Sequence, residues 1–303
     1  MGDTMVDGIL VVNKPVGMTS FDVVARLRRH LGQKKIGHAG TLDPSVDGIL
    51  VLALGKATKL IDVLQSRPKT YQGEITLGFQ TETEDREGTI IKEQALTIPL
   101  SVNDIDQAIA HFHGQITQVP PLYSAVKVAG RRLYEYARAN EPVERPARSA
   151  YIYDFKRTSQ PEFDGRYQSF DFQAQVSKGT YIRTLASDVG EFLNLPATMT
   201  RLTRISGSGF DLSQATSLDG LLALSVDQIV ERMVVPINQI LDWPIKELDQ
   251  TEWFAVSNGQ KISDWPINES GYLQLYYQGQ LKAVYQYNSE QALWRSRYVF
   301  SNR

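Results

Sequence analysis

The chain contains no cysteine, which removes disulfides, thiolate metal ligands, cysteine nucleophiles and thiol redox chemistry in one step. Histidine is scarce, with four residues, and the sequence holds no HExxH, no EF-hand loop, no Walker-type phosphate loop and no GxGxxG turn. Long hydrophobic runs are also missing. The longest, such as Gly48 to Leu54, is far too short to span a bilayer, and the N-terminus has no basic segment followed by an apolar one. A cytoplasmic protein with no membrane partner is expected. Strong charge of one sign is lacking too: the formal net charge is -2, which argues against indiscriminate nucleic-acid binding. What remains is chemistry that carboxylates, tyrosines and arginines perform without metal, nucleotide or redox cofactor. Isomerisation fits that constraint, and no cofactor is expected.

The composition is that of a folded protein. Hydrophobic residues make up 42% and charged residues 22% of 303, enough for a real core and spread without long blocks. The length suggests one large domain of about 230 residues with a small one attached. The sequence changes character after Val235 and Pro236. Residues 1–239 alternate strand-like and helix-like patterns. Residues 240–303 carry the tryptophans and short alternating segments such as Tyr272 to Tyr277 and Ala283 to Tyr287, with glycines between. This tail reads as a compact all-β module.

Charge is distributed unevenly. Arg26, Arg28, Arg29, Lys34 and Lys35 fall between Asp22 and Asp43 without an intervening acid, and Lys127, Arg131, Arg132, Arg138, Arg145 and Arg148 cluster later. Local basic surfaces on a near-neutral protein suit a shaped polyanion. The second cluster lies in residues 119–148, where Pro120, Pro121, Pro142 and Pro146 combine with Tyr123, Tyr134 and Tyr136. That mixture is expected of a long RNA-facing insertion lacking a packed face of its own.

The elements follow from pattern. Residues 8–13 read as a buried strand ended by Lys14, Pro15 and Gly17. Ser20 is expected to cap a helix through Val23, Val24, Leu27 and Leu31, closed by Gly32. Ile49 to Leu54 reads as a central strand, and Lys69 to Phe79 as a strand with one buried face. The acidic stretch 81–88 reads as a hairpin connection. A helix follows Ser101 and Asp104, and strands resume at 151–155 and 170–176.

The densest chemical signal is 37-GHAGTLDPSVDGIL-50. Its glycines allow close backbone approach, and Pro44 pushes Asp43 towards an extended conformation, so that its carboxylate can point into a cleft. Here the chain resembles the bacterial TruB family of pseudouridine synthases. The matching motifs are 14-KPVGMTS-20, GHAGTLDP at 37–44, 55-GKATK-59, 120-PPLYSAVKVAGRRLYEYAR-138, 177-SKGTYIRTLASDVG-190 and 201-RLTR-204, in the family's order across residues 8 to about 235.

The resemblance implies a pseudouridine-synthase α+β fold, a large mixed and mainly antiparallel sheet split by the catalytic cleft, followed by a small PUA-like β-barrel. It implies isomerisation of uridine 55 in the T-loop of tRNA by base flipping. Asp43 becomes the nucleophile, Tyr71 the ring stacked on the target uracil and a possible base, and Arg183 the cation paired with Asp43. His38, Tyr181 and Leu202 become substrate-binding residues, as does Lys14, which with Pro15 buttresses the active-site loop; Lys127, Arg131 and Arg132 face the RNA. Arg183 is expected on the same side of a strand end as Tyr181. Asp85 receives no role. The implied partner is the T-stem-loop of tRNA, bound by a monomer without an obligate protein partner. Two rival readings remain: an RNA-guided synthase, and a tRNA-folding chaperone in which modification is secondary.

Overall fold

The computed structural model describes residues 5–301. Strand β1 (Gly8–Lys14) is almost wholly buried, and a turn leads from it into helix α1 (Ser20–His30). The cap is Thr19 rather than Ser20: Thr19 accepts from the Asp22 amide while the Asp22 carboxylate accepts from the Thr19 amide, satisfying two helix-end donors reciprocally. Ser20 instead turns inward, donating to the Leu42 carbonyl and accepting from the Leu42 amide. Strands β2 (Ile36–His38) and β3 (Asp47–Leu54) follow. β3 runs antiparallel to β1 from Gly8↔Leu54 to Lys14↔Gly48.

Helix α2 (Ile61–Ser66) precedes β4 (Lys69–Leu77), whose residues 69, 71, 73, 75 and 77 face inward as the alternation predicts. β5 (Phe79–Thr81) and β6 (Ile90–Glu93) form the expected hairpin around the acidic stretch. Helix α3 (Val102–His111) carries a capping box from Ser101 and Asp104, and β7 (Gly114–Gln118) leads into the insertion.

The insertion has more structure than its composition suggests. β8 (Lys127–Val128) and β9 (Arg131–Arg132) make a small hairpin, and α4 (Leu133–Ala139) follows. Leu133 is fully buried and Val126 nearly so, which supplies the packed face that the proline and charge content concealed. The chain then returns through β10 (Arg148–Arg157), β11 (Glu162–Phe163) and β12 (Gln168–Val176) to helix α5 (Ile182–Phe192) and β13 (Ala197–Gly207). Short pieces complete this part: β14 (Phe210–Asp211), β15 (Thr216–Ser217), α6 (Leu218–Leu222), α7 (Val226–Arg232) and β16 (Val234–Val235).

The main sheet has the order β15-β1-β3-β13-β4-β12-β10-β7 and is mixed, mainly antiparallel. At its middle β3 and β13 run parallel and share two rungs, Thr203↔Asp47 and Arg204↔Gly48. The sheet therefore consists of two well-paired halves joined by a narrow seam. Gly48 makes that seam possible. Its φ is +103°, and a Cβ there would stand 2.3 Å from the Arg204 carbonyl oxygen, a clash with backbone that only glycine avoids.

Both faces of β1 and β3 are covered, which explains their continuous apolar sequence. Leu10, Val12, Leu50 and Leu52 face the core under α1 and α5. Ile9, Val11, Ile49 and Val51 face the other way, against Ile240, Leu241, Val284, Tyr298 and Phe300. The C-terminal module supplies those partners. It comprises β17 (Ile245–Glu247), α8 (Gln250–Ser257), β18 (Tyr272–Tyr277), β19 (Gln280–Asn288) and β20 (Leu293–Val299). They form a four-stranded sheet in the order β17-β18-β19-β20, with no pairing between β17 and β20 among the described residues and with Ile262 bridged antiparallel to Trp294 of β20. Asp62 of α2 ties the two parts further through Arg297 and the Tyr298 hydroxyl. Among the described residues no helix is long and apolar enough to cross a membrane.

Candidate active site

Asp43 sits on the loop between β2 and β3, and the preceding strands explain its position. The loop is held from three sides. Lys14 is fully buried behind it, and its ammonium donates to the carbonyls of Met18 at 2.7 Å, Pro15 at 2.9 Å and Pro44 at 3.5 Å. Burial depresses its pKa to about 8, against the pull of Asp47 and Asp43. Ser20 grips Leu42 from below. Arg204, 3% exposed, donates to the carbonyls of Ile49 at 2.8 Å and Gly40 at 3.1 Å. Lys14 is thus a buttress of the loop and not a substrate contact, because no part of it reaches the cleft.

The Asp43 carboxylate remains 42% exposed and meets Arg183 Nη2 at 3.0 Å. Arg183 is itself almost wholly buried. It lies in the first turn of α5, with Tyr181 at the helix N-cap, so the expected strand-end geometry gives way to a helical one. Its guanidinium also donates to the carbonyls of Thr83 at 2.8 Å and Tyr123 at 3.0 Å, and Asp85 stands 3.7 Å from Nη1. The role missing for Asp85 is therefore visible. One oxygen accepts from the Thr83 hydroxyl and the Glu87 amide, and the other faces Arg183 Nη1, while Asp43 meets Nη2. A planar guanidinium held by two carbonyls and two carboxylates has one rotamer available.

The pair borders a cleft of about 310 Å³ lined by Asp43, Tyr71, Arg183, Tyr181, Leu202 and Arg204, among others. Tyr71 and Leu202 come from β4 and β13, where Arg204↔Tyr71 and Leu202↔Gly73 are paired, and both are 8% exposed. Lys69 and Lys178 add cations. The Lys69 pKa falls to about 8, first by burial and then by repulsion from Arg204 and Lys178. A more open cavity of about 680 Å³, lined by Asp85, Glu87, Tyr123 and Val16, shares Asp43 and Arg183 with the first.

Besides Lys14, four expected contacts lie outside this cleft. His38, on β2, pairs with Leu52 of β3; burial, then Arg204, lowers its pKa against a hydrogen bond with the Gly40 backbone. Lys127, Arg131 and Arg132 are exposed on the insertion hairpin. Arg131 bonds Glu141 at 2.6 Å and lies over the Tyr136 ring, while Arg132 reaches the Tyr134 hydroxyl. Sequence alone assigns no role to Arg204 and only a helix cap to Ser20, although both stand within the matching motifs. Their function depends on which backbone carbonyls they meet, and that is a tertiary fact. Among the described residues no cluster of ligating side chains could hold a metal ion.

A carboxylate beside an enclosed arginine, in a cleft of about 310 Å³ that a tyrosine also lines, has room and chemistry suited to a single nucleobase. Solved structures share the fold. A Cbf5–Nop10–Gar1 complex aligns over 92% of this chain and 78% of its own, with a TM-score of 0.66 at 24% identity. An H/ACA RNP bound to a substrate RNA containing 2'-deoxyuridine aligns over 97% and 85%, with a TM-score of 0.67 at 22% identity. Residues 28–182 match the TruB family pseudouridylate synthase (N terminal domain). The tRNA pseudouridine synthase B of Lacticaseibacillus casei is 46% identical over 96% of this chain and 95% of that protein. Its namesake in Levilactobacillus brevis is 43% identical over 97% and 99%. The chain belongs to the TruB family of pseudouridylate synthases.

Proposed function

We propose that the protein converts uridine 55 in the T-loop of tRNA to pseudouridine, acting as a monomer in the cytoplasm without guide RNA or obligate protein partner. The observation that carries this reading is the Asp43–Arg183 pair at 3.0 Å in a cleft containing Tyr71. The reaction breaks the bond from ribose C1' to N1, turns the base over and joins C1' to C5; the proton lost from C5 is balanced by one gained at N1. Every route open to a carboxylate here requires it to be ionised beside the sugar–base junction. Arg183 Nη2, 3.0 Å away, fixes where the carboxylate stands. Extruding the base costs a few kcal/mol, and stacking on Tyr71 returns about 1 to 3 kcal/mol. Lys69, Lys178 and the exposed hairpin cations supply the phosphate attraction. The C-terminal module is assigned a local RNA contact, since residues 240–303 hold six Lys or Arg against seven Asp or Glu.

Whole-length identity to proteins named tRNA pseudouridine synthase B supports the stand-alone form over the RNA-guided one. The test is to incubate the purified protein alone with an unmodified tRNA transcript and map pseudouridine by carbodiimide-dependent reverse-transcription stops. Conversion at position 55 is expected. Conversion elsewhere, or none without guide RNA, would overturn the proposal, and tRNA refolding without conversion would favour the chaperone reading.

A further inference from the structure

Gln118 is the last residue of β7 and only 3% exposed. Its carboxamide is fully engaged. Oε1 accepts from the Tyr181 amide at 3.0 Å, and Nε2 donates to the Tyr181 carbonyl at 3.2 Å. The same side chain hydrogen-bonds the Asp188 carboxyl. A primary amide that exchanges two bonds with one residue's backbone imitates a strand pair. Tyr181 is the N-cap of α5, and that helix has no side-chain cap of its own. Two residues on, Arg183 reaches Asp43.

Gln118 also marks the root of the insertion. Its ladder partner is Arg148, so residues 119–147 leave and return at this single rung. The insertion touches the site again where Tyr123 accepts from Arg183. The insertion and the start of α5 are therefore joined at two points, one at the root through Gln118 and one at the guanidinium itself.

We infer that Gln118 is a positioning residue for the isomerisation, holding the first turn of α5 in register with the root of the insertion so that Arg183 meets Asp43. The inference rests on the activity proposed above. Without the carboxamide, the Tyr181 amide loses its partner and the Tyr181 carbonyl keeps only the Leu185 amide of its own helix, so α5 is free to shift at its N-terminus and the ion pair loses its alignment. A displacement of about 1 Å in such a constellation lowers a rate by about a hundredfold.

Two variants test this in the single-turnover assay on tRNA, at saturating enzyme and beside the wild type. Gln118→Met keeps the volume and removes every hydrogen bond. Its rate constant is expected to fall at least about tenfold while tRNA affinity stays within about threefold. Gln118→Glu adds a signature that loss of packing alone does not produce. As a neutral acid it donates to the Tyr181 carbonyl and accepts from the amide, as glutamine does; as an anion it repels that carbonyl. Its partner Asp188 feels Glu191 on α5 and Glu84 on the acidic loop, and Glu84 in turn feels Arg183 and Arg145 as cations and Asp85 as a further carboxylate. Burial and these carboxylates favour the neutral acid, so the variant's rate relative to wild type should rise as pH falls from about 8.5 to about 6. A Met variant within threefold of wild type, or a Glu variant depressed equally across that range, overturns the inference. A wild-type protein that converts no uridine instead overturns the proposed function.

Discussion

Replacing Asp43 by Asn separates chemistry from everything else the residue does. In the folded protein the carboxylate is 42% exposed and touches one cation, Arg183. An ion pair that open contributes no more than about 1 kcal/mol to stability. Arg183 does not depend on it: the carbonyls of Thr83 and Tyr123 and the carboxylate of Asp85 still hold the guanidinium. Fold and cleft should therefore persist, with a melting temperature within a few degrees of wild type. Binding should change by less than about tenfold, or 1.4 kcal/mol, because phosphate contacts and stacking on Tyr71 do not use the Asp43 charge. The reaction loses the anionic carboxylate that the proposed chemistry requires. Asp85 cannot replace it, since it does not line the cleft that holds Tyr71 and one of its oxygens is already committed to Thr83 and Glu87. A loss of at least about a thousandfold, some 4 kcal/mol of transition-state stabilisation, is expected. Single-turnover conversion and filter binding on one tRNA preparation measure the two quantities. Mass spectrometry must exclude reversion of Asn to Asp. Measurable pseudouridine from such a verified variant would falsify the role given to Asp43.

Three further outcomes follow from the packing and the charges. Gly48→Ala drives a Cβ to 2.3 Å from the Arg204 carbonyl at a φ of +103°; it should cost about 3 kcal/mol or more, and a denaturant midpoint equal to wild type would refute the packing argument. Burial, then Glu84 and Glu191, pushes the Asp188 pKa up to about 7, so between about pH 4 and 7 the folded state binds more protons than the unfolded and stability falls as pH rises; Asp188→Asn should raise the melting temperature at pH 8 and change it little near pH 4, as calorimetry at both values would show. Removing residues after 240 strips Leu241, Val284, Tyr298 and Phe300 from the core that covers Ile9 and Val51, at about 1.5 to 3 kcal/mol for each large side chain; the truncated protein should melt well below the full chain, and an unchanged melting temperature would show that the module merely leans on the sheet.

Much of this was legible because local signals agreed. The apolar run of β3 announced a central strand, and Ser101 with Asp104 announced the start of a helix. The motifs around Asp43, Tyr71 and Arg183 pointed to residues that the fold brings to one cleft from a loop, a strand and a helix. What stayed hidden was tertiary. Thr19 and Ser20 are chemically interchangeable caps in sequence, and only the closeness of Leu42 shows that Ser20 is engaged elsewhere. The helical setting of Arg183 was obscured by Gly179 and the β-favouring residues that precede it. Proline and charge made the insertion look unpacked, whereas Leu133 gives it an anchor. The break after Pro236 was real in composition, yet it did not reveal that the tail completes the underside of the main sheet.

The seam between β3 and β13 has a consequence for how this protein fails. Asp43 belongs to one half of the sheet, and Tyr71, Leu202 and Arg183 to the other. Two rungs and the grip of Arg204 on Ile49 and Gly40 keep the halves in step. Warming should loosen that joint before either half loses its strands, since local openings begin where contacts are fewest. Activity and circular dichroism should then part company on a thermal ramp, with turnover fading several degrees below the melting of the sheet. Substitutions along the seam, although far from any substrate atom, would move the first temperature more than the second.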